Sequence, residues 1–94
     1  MEQKYYQRAQ NIMRNIRRNT PPKLGRRMIC VSAVANFTTH LIALALSRRD
    51  NPHYNAEQEQ ARLNEIKAAY KQYRSGDISC VKAMTLLCEA FNRR

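Results

Sequence analysis

The sequence predicts an all-α fold: a compact, four-helix bundle-like single domain with a central apolar helix over about residues 24–48. Three observations predict it. Only 2 Gly and 3 Pro occur in 94 residues, which leaves little material for turns. Apolar residues recur at three- and four-residue spacing in three separate stretches, the period of a helix that buries one face. Between the first two lies a charge-free run, residues 28–47, flanked by Arg26-Arg27 and Arg48-Arg49. An apolar fraction of 44% is that of a globular chain. A domain this short buries only about two-thirds of its unfolded surface, so a homodimer would add to its stability.

The first helix is expected over residues 2–19. Tyr5, Ala9, Ile12 and Ile16 form one stripe, widened by Tyr6 and Met13, and Lys4, Arg8, Arg14 and Arg18 lie opposite. Thr20-Pro21-Pro22 stops it, because proline lacks an N–H and disfavours α geometry in the residue before it. The second helix, over 24–48, holds the charge-free run, and its length is about that of a bilayer span. Ser32, Asn36, Thr39, His40 and Ser47 share one narrow polar face, and polar groups at the centre of a bilayer are costly. That stripe fits a polar network satisfied inside the bundle, fixing helix register, or else a face for a partner chain.

Asp50-Asn51-Pro52-His53-Tyr54-Asn55 reads as a loop, with Asn55 capping a third helix over 56–75 and Gln58 three residues on. Glu57 and Glu59 suit its N-terminus, and Lys71 and Arg74 its C-terminus. Leu63, Ile66, Tyr70 and Tyr73 form a 3-4-3 seam. Gly76 ends this helix, and Asp77 is expected to cap a fourth over 78–92. There Cys80, Met84, Leu87 and Phe91 form the expected core stripe, leaving Ala83, Leu86 and Ala90 as a docking face. The chain thus divides into a basic N-terminal helix and loop (1–27), an apolar central helix (28–47) and an amphipathic helical hairpin (55–94).

Known chemistry finds no foothold. There is no P-loop, no dinucleotide fingerprint and no pair of acids in a plausible cleft. His40 and His53 lack ligand partners at i+3 or i+4, and the cysteines show no zinc spacing. Cys30 and His40, a nucleophile and a base, sit ten residues apart, about 15 Å along a helix axis. No catalytic residue, metal or cofactor is expected, and the protein is not read as an enzyme. Cys30, Cys80 and Cys88 are odd in number and no apolar signal region precedes them, which fits a reducing, cytoplasmic setting.

Two motif tests fail. Asn64-Glu65-Ile66-Lys67-Ala68-Ala69-Tyr70 resembles a run in the last helix of co-chaperone J domains. That family's His-Pro-Asp tripeptide is absent, however, and its second helix is basic where this one is apolar, so nothing carries over. A helix-turn-helix around Ser75-Gly76-Asp77 would need a small residue at position 72 and an apolar one at 77, where Gln72 and Asp77 stand.

Charge is the functional signal. The net charge is +10, of which residues 1–27 carry +7, with eight Lys/Arg against Glu2. Arg8, Arg14, Arg17, Arg18, Lys23, Arg26 and Arg27 are the candidate site, because clustered cations displace counterions from a polyphosphate and arginine pairs bidentately with phosphate and guanine. Tyr5 and Tyr6 could stack on bases, although Tyr5 belongs to the core stripe. The same charge also serves simply to keep a small protein solvated. Three readings follow: an accessory or regulatory protein binding nucleic acid (DNA or RNA) or its machinery; a protein-binding adaptor or inhibitor of the kind phages and plasmids carry, its arginines meeting an acidic protein surface; and membrane attachment through residues 28–47.

Overall fold

The computed structural model describes residues 3–21 and 28–92, with side chains from residue 31 onward in the second segment. Four α-helices follow in order: α1 (Gln3–Asn19), α2 (Met28–Ser47), α3 (Ala56–Arg74) and α4 (Cys80–Asn92). A single 3-10 turn, Arg48–Asp50, extends α2 into what the sequence presents as the start of the loop. Residues 24–27, the expected opening of the second helix, lie outside the described residues.

The bundle is all-α, with α2 packed against each of the other three helices. Tyr6 and His40 join early α1 to late α2, which fixes these two helices as antiparallel. The Tyr5 hydroxyl donates to Asp50 just beyond the end of α2. At the far end, the Arg74 Nε donates to the Thr20 carbonyl at 2.5 Å, so α1 and α3 finish side by side.

The local ends follow from side-chain chemistry. The Asn55 side chain accepts from the Gln58 N–H at 3.0 Å, the expected cap of α3. Gly76 has φ 89°, a left-handed position that glycine enters without a Cβ penalty. Around it the Asp77 N–H reaches the Gln72 carbonyl and the Gly76 N–H the Tyr73 carbonyl, the paired bonds of a Schellman stop. The cap of α4 is Ser79, not Asp77: the Ser79 Oγ accepts from the Lys82 N–H at 3.1 Å. Asp77 stays in the turn and accepts from the Ser75 hydroxyl, because α4 begins two residues later than the sequence suggests.

One apolar cluster draws on all four helices. Tyr70, Tyr73, Met13, Ile42, Ile66, Leu87, Val34 and Thr38 are its largest fully buried side chains. Burying each aliphatic or aromatic member stabilises the fold by about 1.5–3 kcal/mol. Thr38 tolerates the core because its hydroxyl bonds back to the Val34 carbonyl at 2.7 Å. The α3 seam of Leu63, Ile66, Tyr70 and Tyr73 is buried as the spacing predicts.

Two faces are rotated from expectation. On α1 the buried row is Tyr5, Ala9 and Met13, a four-residue ridge, while Ile12 and Ile16 are only half-buried. On α4 the buried row is Ala83, Leu87 and Ala90, while Cys80, Met84 and Phe91 are half-buried at its edge. Ala83, Leu86 and Ala90 are therefore no outward docking face. Small side chains let α4 approach its neighbours closely, so alanine rather than the larger Met84 takes the contact line. No helix among the described residues is long and apolar enough to cross a membrane.

Candidate functional site

The predicted basic face is assembled on α1. From Gln3 to Asn19 the helix carries five cations and no acid. Its buried row of Tyr5, Ala9 and Met13 fixes rotation, so Arg8, Arg14, Arg17 and Arg18 are all exposed. Arg14 and Arg18 are one turn apart, roughly 6 Å along the axis. Lys4 and Arg8 repeat that spacing, and Lys4 also lies 5.0 Å from the Tyr5 ring centre. Lys23, Arg26 and Arg27, the rest of the predicted set, lie outside the described residues.

The four described arginines are not equivalent. The Arg17 Nε donates to the Tyr70 hydroxyl at 3.4 Å, which ties it to the core of α3. Arg8, Arg14 and Arg18 have no acidic partner among the described residues. Like charges one turn apart destabilise a helix by about 0.2–0.5 kcal/mol per pair. Arg17 and Arg18 regain part of this at the C-terminal end of the helix dipole.

The opposite pole is built differently. Glu59 accepts from Arg62 at 2.7 Å and lies 3.9 Å from Arg48, and both guanidiniums sit over the Phe91 ring, Arg48 at 4.5 Å from its centre. These arginines are structural clamps joining the end of α2 to α3 and α4. Arginine content alone does not separate them from the arginines of α1. The signal that does is the glutamate within one turn of Arg62, which α1 has nowhere between Gln3 and Asn19.

The polar stripe of α2 is not a buried network. Ser32, Asn36 and His40 are exposed, and Thr39 is half-buried with its hydroxyl on the Ala35 carbonyl. His40 Nδ1 meets the Tyr6 hydroxyl at 2.8 Å, so Tyr6 is engaged across the α1–α2 seam. The stripe points outward because α1, α3 and α4 cover the other sides of α2, where Val34, Leu41, Ile42 and Ala45 lie. Ser47 bonds back to the Leu44 carbonyl.

Beside the basic face, α1 and α3 leave a groove of about 260 Å³. Ile12 and Ile16, displaced from the core row, line it with Asn15 and Asn19, Thr20 at the end of α1, and Lys67, Ala68 and Lys71 from α3. Lys67 and Lys71 are one turn apart and extend the positive field onto a second helix. The sequence carries their spacing but not their neighbour, since only the fold brings α3 beside α1. A second groove of about 240 Å³ between α3 and α4 includes Glu65 and Glu89 on its lining and has no comparable positive field.

The chain matches no family model, no curated protein and no solved structure.

Proposed function

We propose that the protein binds nucleic acid through the exposed arginine face of α1, as a non-enzymatic accessory or regulatory factor. The observation that carries this reading is the outer surface of α1, where every charged residue is a cation, with Arg8, Arg14 and Arg18 exposed among neutral amides and without acidic partners among the described residues. A face that served only solubility would gain by mixing signs, because like charges one turn apart oppose the helix that carries them. A polyanion removes that penalty and releases its own counterions in doing so.

The supporting contrast lies within the molecule. Arg48 and Arg62 are held by Glu59 and Phe91, whereas α1 presents guanidiniums free to form forked bonds with phosphate. The test is fluorescence anisotropy on labelled oligonucleotides at low salt, comparing the wild-type chain with the triple variant Arg8→Gln, Arg14→Gln, Arg18→Gln. Affinity is expected to fall by about tenfold or more, since charge-assisted bonds contribute about 1.5–3 kcal/mol each. Unchanged affinity would reject the reading. Absence of binding by the wild-type chain would direct the same arginines to an acidic protein surface instead.

A further inference from the structure

We infer that the groove between α1 and α3 takes an unpaired nucleotide of RNA. The inference rests on the nucleic-acid reading above and adds the class of ligand and the place of its base. The groove's apolar floor is Ile12 and Ile16, half-buried side chains that the core row of Tyr5, Ala9 and Met13 leaves on this side. Its size, about 260 Å³, lies just below the range of about 300–1,000 Å³ typical of sites for larger organic ligands, and suits one flat ring. A base still stacked and paired in a duplex cannot enter such a slot, whereas loops and ends of RNA splay their bases outward.

The polar atoms suit the rest of a nucleotide. Asn15 and Asn19 stand one turn apart on the rim, and each amide offers both donors and an acceptor, the set that reads a base edge. Thr20 closes the end of the groove. It is only 5% exposed, and its hydroxyl has no hydrogen-bond partner among the described residues. An orphaned buried hydroxyl is uncommon in a folded chain and is a group that a ligand oxygen completes. The ribose 2′-hydroxyl, both donor and acceptor, is such an oxygen and is what distinguishes RNA from DNA at a binding site. Lys67 and Lys71 on one side and the arginines of α1 on the other would neutralise the flanking phosphates.

The experiment uses the full chain and three labelled probes of about twelve nucleotides: single-stranded RNA, DNA of the same sequence, and the RNA duplex. Ala68→Trp adds bulk at an exposed position on the lip that this groove shares with the α3–α4 groove, and Asn15→Ala with Asn19→Ala, which line the α1–α3 groove alone, removes the rim amides without adding bulk. Circular dichroism verifies the helices of each variant. The wild-type chain should prefer single-stranded RNA to the duplex by about tenfold, and both groove variants should abolish that preference while leaving duplex affinity unchanged. Equal affinity for strand and duplex, or a preference that survives both variants, would overturn the groove assignment. Equal binding of the DNA strand would overturn its ribose selectivity. If these failures occur while the arginine variant still loses binding, the phosphate face stands and only the groove is rejected; no binding of any probe rejects both.

Discussion

Ala83 has no exposed surface, whereas Val81, two residues earlier on the same helix, is 77% exposed. Hydropathy alone ranks them the other way. Ala83→Leu is therefore expected to destabilise the fold by about 1–3 kcal/mol through overpacking, read as a lower urea midpoint. Val81→Gln should stay within about 0.5 kcal/mol of the wild-type chain. The contrast marks what was legible at this scale. The α3 seam of Leu63, Ile66, Tyr70 and Tyr73 is plain in the sequence because its large side chains are the contact line. The α4 row is hidden because Ala83 and Ala90 take the line, and Met84 and Phe91 draw the eye to its edge. On α1 the same effect promoted Ile12 and Ile16 to the core and obscured the groove they line. Asn15, Asn19, Lys67 and Lys71 have no common meaning until that groove exists.

At the scale of an element, the ends of α3 and α4 make separate tests. Gly76→Ala forces a Cβ into a position of φ 89° and is expected to destabilise the chain by about 1 kcal/mol. Ser79→Ala removes the cap of α4 and should cost about 1 kcal/mol, whereas Asp77→Ala should change little, with thermal melting as the measurement. An equal or larger loss at Asp77 would restore it as the cap. Cap chemistry was legible for α3, where Asn55 and Gln58 have the required spacing, but Asp77 and Ser79 are both competent caps and only the start of α4 decides between them. Helix α1 itself carries a tension between stability and charge. Replacing Arg14 and Arg18 by Gln should leave its melting temperature unchanged or slightly raised, because a like-charge pair is removed. A marked fall in melting temperature would mean that these arginines hold the fold.

For the whole molecule, the sequence conveyed the helix count, the order and the central place of α2, because a charge-free run bounded by arginines must be covered on most sides. It did not convey which face of α2 stays open: Ser32, Asn36 and His40 point outward, and the helices that cover the rest determine that. The glutamate one turn from Arg62 is readable in the sequence, but that Arg48 shares it and that both guanidiniums lie over Phe91 emerges only from the fold. What remains is an uneven field, +7 within the first 27 residues and +3 over the other 67, displayed on a framework of 45 × 25 × 20 Å. The most direct test of nucleic-acid binding by that field is the dependence of binding on salt, measured by anisotropy for the wild-type chain and for the triple variant Arg8→Gln, Arg14→Gln, Arg18→Gln. Each phosphate contact contributes about 0.7–0.9 to the slope of log affinity against log salt concentration. The slope should therefore become shallower by about two to three in the variant. An identical slope in the two proteins would show that these arginines touch no phosphate and would contradict the assignment of α1 as the binding face.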